Sequence, residues 1–347
     1  MDWKSSLFVN MSEEANKIVV SVAIITYNQQ DTIAQTLDSI LCQQGDFDLE
    51  VVVGEDCSAD NTWKICDEYA KRYPDKVKLL PNTHNLGIMA NEARTLRACK
   101  GTFIASIAGD DYYIDDHALE KQVDYMHHHL ETGAMGTNGY KFFVKRNEMV
   151  AGLNPTITKE NDRAKEFYFS KSYVGGVYFC PVGFFIRREF LKYLDFDEMI
   201  RRGLPVEDYP IQAILSQYTQ FACLSDLMVV YRVYKESATF VSLNDPGYLD
   251  YHKGLVETRR YLNELFPKDA HFTEADLIEY LFYKEFLLRL HQLQYNRAKA
   301  LVLDADVLIK NSMKVRRAHF FVKSRFHFLF AYLSKEYKTK QELKKRI

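Results

Sequence analysis

The chain has 347 residues, of which 47% are hydrophobic and 27% charged, with a formal net charge of −2. This length and composition allow a globular protein with a full core, built as one large domain or one domain with an appendage. The near-zero net charge argues against a general nucleic-acid binder, because affinity for the phosphate backbone comes from many Lys and Arg side chains. A nucleotide ligand stays open.

The six cysteines form no C-x-x-C pair, and the N-terminus shows no basic stretch followed by an apolar core. We therefore expect a reducing, cytoplasmic compartment. The longest apolar runs have the length of strands. A helix needs about 20 apolar residues to cross a bilayer, so no membrane-spanning segment is expected.

In chain order, residues 18–143 alternate short β-branched runs with longer amphipathic stretches, a pattern typical of βαβ units and a parallel sheet. The predicted strands are residues 18–25, 49–54, 77–80 and 103–108. The predicted helices are residues 31–42, 61–73 and 88–99. The fold class is therefore α/β, and a ligand is expected outside the carboxyl ends of the strands.

The rest of the chain is less regular. Residues 147–180 are polar and read as a long irregular connection lying over the site. A strand at 184–186 and a helix at 210–218 follow, and beyond residue 246 almost continuous helical periodicity, as in 277–293, predicts a C-terminal helical appendage.

Charge is unevenly placed, because residues 313–347 hold eleven Lys or Arg against two Glu. This basic, aromatic tail carries +9 and the remaining residues −11. One interpretation is a helix that lies on an anionic membrane face or docks a partner. The other is a solvated helix whose aromatic side chains pack on the core.

Polar clusters follow three of the predicted strands. They are Thr26-Tyr27-Asn28, Glu55-Asp56 and Gly109-Asp110-Asp111. Because the carboxyl ends of parallel strands share one edge of a sheet, these clusters are expected to converge.

Asp110-Asp111 is the strongest of these signals for chemistry. Adjacent carboxylates after a buried strand repel one another and resist desolvation, and a divalent cation removes that cost. The pair therefore indicates a site for Mg²⁺ or Mn²⁺, although the same residues could cap a helix.

Another acidic pair can be interpreted in two ways. Glu207-Asp208 could supply a general base from a separate segment, or could cap the helix that follows. Asp60-Asn61-Thr62 is best explained as a helix cap. His127, His128 and His129 are consecutive on a predicted helix, so their side chains diverge and a shared metal is not expected.

The ordered motifs resemble glycosyltransferase family 2. The segments that carry the resemblance are SVAIITYN at 21–28, VVVGEDCSADNT at 51–62, NLG at 85–87 and the stretch 105–112. The likeness extends over about residues 18–235. It implies a GT-A fold, a Rossmann-like mixed sheet, with residues 1–245 as the glycosyltransferase domain. Within it, 18–115 would bind the nucleotide and 116–245 the acceptor, and 246–347 would form the helical region.

The resemblance also implies roles for single residues. Tyr27, flanked by Thr26 and Asn28, would stack on the donor base, and Asp56, beside Glu55, would bond its ring nitrogen. Asp110 would reach the ribose, and Asp111 would hold the Mn²⁺ or Mg²⁺ ion that bridges the diphosphate. Asp208 would be the catalytic base, with Glu207 and Arg232 as candidate contacts to acceptor or diphosphate. Segment 180–186 would line the acceptor pocket.

Two positions depart from the family pattern. Cys57 stands where Gly or Asn is common, and Tyr234 stands where a histidine often contacts metal or diphosphate.

The chain is thus expected to be an inverting glycosyltransferase. It would move a sugar from a UDP-sugar to a hydroxyl group of a surface polysaccharide or a lipid-linked oligosaccharide, in the cytoplasm or peripherally on the inner membrane face. The alternatives are a non-catalytic nucleotide-sugar binder or scaffold of a polysaccharide-assembly complex, and a nucleotidyltransferase. The last would need a Gly- and Lys-rich loop after the first strand, and residues 28–31 do not have one.

Overall fold

The structure is a computed structural model that describes residues 19–154, 179–234, 243–270, 272–292 and 297. The basic tail at 313–347 and most of the expected loop at 155–178 lie outside the described residues. Of the described helices, none combines the length and apolar character that crossing a bilayer requires.

The first half of the chain forms the parallel sheet that the alternating pattern predicts. Its strands are β1 (Val19–Thr26), β2 (Asp48–Glu55), β3 (Val77–Pro81) and β4 (Phe103–Ala108), joined by helices α1 (Ile33–Leu41), α2 (Thr62–Arg72) and α3 (Ile88–Ala98). The order across the sheet is β3-β2-β1-β4, with every neighbouring pair parallel. The four predicted strands and three predicted helices are confirmed, with ends that shift by one or two residues.

The second half of the chain extends the same sheet. It contributes β5 (Tyr112–Tyr113), β6 (Thr132–Phe143), β7 (Glu148–Ala151), β8 (Phe184–Arg187) and β9 (Gln220–Val233). Strand β8 runs antiparallel to β4 and continues the order as β8-β6-β9-β5, with β7 paired to β6. The result is one continuous mixed sheet. A site at the carboxyl end of β4 can therefore draw residues from both halves of the chain.

The described residues form five more helices. They are α4 (Ala118–His128), α5 (Phe196–Arg201), α6 (Asp208–Leu215), α7 (Tyr248–Leu265) and α8 (Glu274–His291). Short 3-10 helices occur at Val144–Arg146, Arg188–Tyr193 and Pro267–Asp269.

Two sequence expectations need correction. The segment 147–180 is not irregular throughout, because Glu148–Ala151 forms β7 and pairs with the end of β6. The helix expected at 210–218 begins at Asp208 and ends at Leu215. Pro210 is tolerated there because the first turn of a helix has no acceptor for its backbone N–H groups.

The sheet separates two hydrophobic clusters, as alternation along a strand requires. In β1, Val22 and Ile24 pack toward α1, whereas Ala23 packs toward α3. The cluster on the α3 face also takes in α5, α6 and Leu262 of α7. Burial on both faces explains why the parallel strands are almost continuously apolar.

Helix α7 is tied to the sheet domain by charge as well as by apolar contacts. Arg202, just after α5, forms ion pairs with Glu198 at 2.7 Å and with Glu257 of α7 at 3.0 Å. Arg259 of α7 is 2% exposed and lies over the ring of Tyr209 in α6. Helix α7 therefore packs against α6 and stabilises its position.

Candidate active site

The three polar clusters lie at one edge of the sheet, as predicted. Thr26 pairs with Glu55, and Ile25 with Ala108, so β1, β2 and β4 end at the same level. Backbone hydrogen bonds continue this alignment beyond the strands, from Asp56 N to Thr26 O at 3.0 Å and from Gly109 N to Ile25 O at 2.9 Å.

The loop after β1 holds an aromatic side chain out in solvent. Asn28 has a φ of 52°, a left-handed conformation that asparagine tolerates better than most residues. Its side chain accepts a hydrogen bond from Ala59 N at 2.8 Å, and its own N–H donates to Ser58 Oγ at 2.9 Å. The neighbouring Tyr27 is left 47% exposed at the rim, where a planar ligand could stack on it.

The carboxylates after β2 are both buried and both organise loops. Glu55 accepts hydrogen bonds from the backbone N–H groups of Cys57 and Ser58 at 3.1 and 2.7 Å. It therefore shapes its own turn.

Asp56 reaches across to the loop after β3. It accepts hydrogen bonds from Leu86 N at 2.8 Å, Gly87 N at 3.0 Å and the side-chain amide of Asn82 at 2.8 Å. An ionised carboxylate has about four acceptor positions. Three of those on Asp56 are occupied, so one remains for an external N–H donor.

The β4 end is a tight turn that only glycine fits at its first position. A Cβ on Gly109 would come within 2.6 Å of side-chain oxygens of Thr26 and Gln29. Thr36 of α1 fixes the turn by donating to Gly109 O at 3.0 Å and to Asp111 O at 2.7 Å.

This turn presents two carboxylates in different surroundings. Asp111 is 1% exposed and accepts a hydrogen bond from Arg232 N at 2.8 Å, whereas Asp110 is half-buried. Burial raises the pKa of both carboxyl groups, and the neighbouring Asp110 raises that of Asp111 further.

Arg232 of β9 lies against both carboxylates but is engaged within the chain. It is 8% exposed, and its guanidinium hydrogen-bonds the Asp110 carbonyl and Gln35 and lies 4.6 Å from the Tyr112 ring centroid. Its contacts in this structure hold the carboxylate turn. Burial raises the pKa of the phenol of Tyr234, where the family often has histidine, and the nearby Asp110 and Asp111 raise it further.

The donor set at this turn fits a hard divalent cation. Desolvated neighbouring carboxylates are stabilised in their charged form by a cation, and Asp111 uses only one oxygen in its hydrogen bond to Arg232. Among the residues that the structure describes, no three His, Cys, Asp or Glu side chains form a ready-made metal cluster. Phosphate and water oxygens would therefore have to complete the coordination, which is usual for Mg²⁺.

A pocket opens beside this rim, between α3, α6 and the ends of β1 and β4. It encloses about 530 Å³, open solvent included, and we call it the carboxyl pocket after Glu92, Glu207 and Asp208, which line it. Ile25, Ala108 and Phe184 are among its apolar walls. The pocket therefore connects the strand ends to the acidic pair that the sequence places far away.

Helix α6 begins at this acidic pair. Asp208 is its first residue, lines the pocket and accepts a hydrogen bond from the adjacent Tyr209 N at 2.6 Å, whereas Glu207 at the N-cap position makes no capping hydrogen bond through its side chain. Burial raises the pKa of Asp208 to about 6 and that of Glu207 well above its usual range. For Glu207, the neighbouring Asp208 and Glu92 add to the effect.

Sequence reasoning missed Glu92. It lies on α3, 5% exposed, and burial raises the pKa of its carboxyl group to about 7, opposed by a hydrogen bond with Ser106. A signal was present, because Met89, Ala93 and Leu96 mark the buried stripe of this helix and Glu92 falls within it. A charged residue inside an apolar stripe is unusual and therefore marks a candidate functional residue.

Asp60, predicted as a helix cap, accepts a hydrogen bond from Thr62 N at 2.9 Å at the start of α2. It also accepts one from Gln30 N at 3.1 Å, which links the first loop to the second. Cys57 has a φ of 60°, and this left-handed conformation explains why Gly or Asn is common at its position.

The sequence model of Glycosyl transferase family 2 matches residues 21–194, half of the chain. The chain belongs to this family. The matched segment contains β1 to β4, the carboxylate turn and β8, so the rim described above lies within the family's own domain.

Individual proteins are similar to parts of this chain. The chain is 39% identical over 113 residues to the uncharacterized Mycobacterium bovis protein Mb1547, covering 33% of each chain. It is 26% identical over 135 residues to the Escherichia coli UDP-Glc:alpha-D-GlcNAc-diphosphoundecaprenol beta-1,3-glucosyltransferase WfaP, covering 39% of this chain and 50% of that one. The matches thus span a third to a half of the length of these relatives.

The fold is similar to that of S. aureus TarS 1-349, solved in complex with UDP-GlcNAc. The TM-score is 0.51 at 20% identity, over 87% of this chain and 79% of that chain. The fold is thus the GT-A glycosyltransferase fold that the motifs predict.

Proposed function

We propose that this glycosyltransferase moves a sugar from a UDP-sugar to a hydroxyl group of a saccharide acceptor, in one displacement with inversion at the anomeric carbon. The observation that carries the proposal is the carboxyl pocket. Its lining brings Asp208, a half-buried carboxyl group with a raised pKa, together with Ile25 and Ala108, at the strand ends that lead into the loop of Tyr27 and into the carboxylate turn.

The rim supports binding of the nucleotide part of the donor. Tyr27 is exposed for stacking, and Asp56 keeps one acceptor position for a ring N–H of the base. We propose that Asp110, half-buried beside the buried Asp111, accepts hydrogen bonds from ribose hydroxyls. Thr26, Asn28 and Glu55 act indirectly, because their contacts set the loops that carry these groups.

Asp111, with Asp110 beside it, would hold Mn²⁺ or Mg²⁺, which when bound offsets the negative charge that builds up on the departing diphosphate. Arg232 holds the turn through the Asp110 carbonyl and the Asp111 carboxylate. Burial raises the pKa of both carboxyl groups, and the positive charge of Arg232 opposes this rise, which favours the anions that a cation needs.

Asp208 is proposed as the general base. The acceptor oxygen would form a bond to the anomeric carbon while the bond from that carbon to the diphosphate oxygen breaks. The acceptor proton passes to Asp208, and a base with a pKa near the working pH is well matched to this transfer. One base and one stabilised leaving group suffice, so no covalent intermediate is invoked.

The finer assignments rest on the relatives. The name of WfaP specifies UDP-glucose as donor and a diphosphoundecaprenol-linked sugar as acceptor for that protein. On this basis we propose a UDP-sugar and a lipid-linked or polysaccharide acceptor here. We also propose that the basic tail at 313–347 brings the enzyme to an anionic membrane face in the cytoplasm.

Release of the nucleoside diphosphate tests the proposed function. The full chain would be given UDP-glucose, UDP-galactose, UDP-N-acetylglucosamine, GDP-mannose and dTDP-rhamnose, each with Mn²⁺, with Mg²⁺ or with EDTA. Metal-dependent release from one UDP-sugar is expected. Release from none, together with no donor binding by calorimetry, would instead favour the scaffold, whereas donor binding without release would favour the non-catalytic binder.

A further inference from the structure

The carboxyl pocket has one acidic group for which the displacement provides no role. Glu92 faces the pocket from α3, opposite Glu207 and Asp208 on α6. It lies outside the nucleotide rim, and it does not cap or brace a loop. Its side chain hydrogen-bonds the hydroxyl of Ser106 on β4.

A packing role does not account for an acid at this place. Met89, Ala93 and Leu96 surround position 92 on the helix face and are 5% exposed or less. Burying a carboxyl group among them costs folding free energy, and one hydroxyl partner leaves most of its acceptor positions unused. An apolar residue would fill the same wall without that cost.

The pocket matches the chemistry of a sugar ring. A sugar presents hydroxyl donors around its edge and C–H groups on its faces. The pocket offers carboxyl acceptors at Glu92 and Asp208, and apolar surface at Pro181, Phe184 and Ile186. A few placed polar groups in an otherwise apolar wall are the usual means of orienting a small ligand.

We propose that Glu92 is a specificity-determining residue that accepts a hydrogen bond from a hydroxyl group of a sugar in this pocket. Ser106 holds the carboxyl group in position. The sugar is either the one transferred or the terminal sugar of the acceptor, since both must approach Asp208. This inference rests on the proposed glycosyl transfer.

The test uses the full chain and the UDP-sugar that supports turnover. Glu92→Leu removes the acceptor, Glu92→Gln keeps one acceptor oxygen, and Ser106→Ala removes only the support. Glu68→Gln is the matched control, because Glu68 is exposed on α2, away from the pocket. For each variant, kcat/KM is measured for donor hydrolysis without acceptor and for transfer to p-nitrophenyl glycosides.

We expect Glu92→Leu to lower kcat/KM about 10- to 100-fold, as loss of a hydrogen bond to a charged group does. Glu92→Gln and Ser106→Ala should lose less. Monodeoxy analogues locate the hydroxyl group. One of these analogues should lower the kcat/KM of the wild type by a similar factor and leave the kcat/KM of Glu92→Leu unchanged. If that analogue is a deoxy donor, Glu92 reads the transferred sugar; if it is a deoxy glycoside, Glu92 reads the acceptor.

Two results would overturn the inference and leave the proposed function standing. The Glu92 variants could retain wild-type kcat/KM within twofold, or every deoxy analogue could cost the variant and the wild type the same factor. A purely structural role would give the second result, because the loss would not depend on any one hydroxyl. A wild-type chain that neither binds nor cleaves a donor would refute the proposed function, and the role of Glu92 with it.

Discussion

The carboxylates of the nucleotide rim accept many hydrogen bonds, whereas those of the carboxyl pocket accept few. Glu55 and Asp56 together accept hydrogen bonds from five N–H groups, four of them in the backbone. In the pocket, Asp208 accepts one from Tyr209 N, and Glu92 interacts with the hydroxyl of Ser106.

The difference separates two uses of a buried acid. A carboxylate that accepts several N–H donors serves as a fixed part of the loop framework, because its removal would leave those donors without an acceptor. A carboxyl group that is buried with few donors has a raised pKa and can exchange a proton or bind a substrate hydroxyl. Replacing one acid of each kind should therefore give contrasting effects on folding and on catalysis.

The largest effect is expected for Asp208→Asn. The amide preserves shape but cannot take the acceptor proton, so transfer should fall about 10²- to 10⁴-fold. The thermal unfolding midpoint should stay the same or rise, because a buried carboxyl group is replaced by a neutral one. Single-turnover transfer and circular dichroism measure the two quantities. Turnover within tenfold of the wild type would rule out Asp208 as the base.

For Asp56→Ala, the larger effect is expected on folding stability and not on catalysis. Two backbone N–H groups and the Asn82 amide lose their acceptor, which should lower the free energy of unfolding by about 2–4 kcal/mol. Asp67→Ala serves as control. It removes only an exposed ion pair with Lys71 and should cost less than about 1 kcal/mol. Equal losses in urea denaturation would contradict the framework role of Asp56.

Glu92→Gln should change stability in a pH-dependent way. Burial raises the pKa of Glu92 from 4.5 to about 7, so the folded wild type holds this proton more tightly than the unfolded chain. That contribution is complete below pH 4.5 and is lost as the pH rises through 7.

The glutamine variant has no such proton. Its free energy of unfolding relative to the wild type should therefore increase between pH 4.5 and 7 by about 3 kcal/mol and then level off. Urea denaturation at pH 4.5, 5.5, 6.5 and 7.5 measures this difference. A constant difference would show that the carboxyl group titrates alike in both states.

The pH profile of transfer tests the pocket from the catalytic side. Because burial raises the pKa of Asp208 to about 6, the base is protonated below that value. The wild-type kcat/KM should fall about fivefold between pH 6 and pH 5, and about tenfold for each further pH unit. An acidic limb near pH 4, the ordinary range for aspartate, would indicate that the base is a solvated carboxylate elsewhere.

The smallest effect is expected at Cys57. Its left-handed backbone strains any residue that has a Cβ, so Cys57→Gly should stabilise the fold by about 0.5–1 kcal/mol. Cys57→Ala keeps the Cβ and should leave stability unchanged. If both variants behave alike, the thiol rather than the backbone would determine the energy at this position.

Much of the rim could be predicted because it is local in sequence. Strands β1, β2 and β4 are apolar runs, each followed directly by its polar cluster, and parallel pairing brings their ends together without further information. Motif order then identifies the family, since Tyr27, Asp56 and Asp111 occur at the expected spacings.

The carboxyl pocket could be predicted only in part. Asp208 was singled out by resemblance, but capping and catalysis were equally consistent with its spacing. Glu92 was passed over because a charged residue on an amphipathic helix normally faces solvent. Strand β7 was missed because its four exposed residues lack the alternation that marks a half-buried strand.

The amino-acid sequence by itself therefore determined the α/β class, the parallel half of the sheet and the family, because each depends on short apolar periods and on residues close along the chain. Only the tertiary structure decided which acids share a pocket. Glu92 and Asp208 lie far apart in sequence and meet because α3 and α6 pack on the same face of a continuous sheet. That packing also surrounds these two acids with few hydrogen-bond donors, which distinguishes them from the carboxylates that organise the loops of the rim.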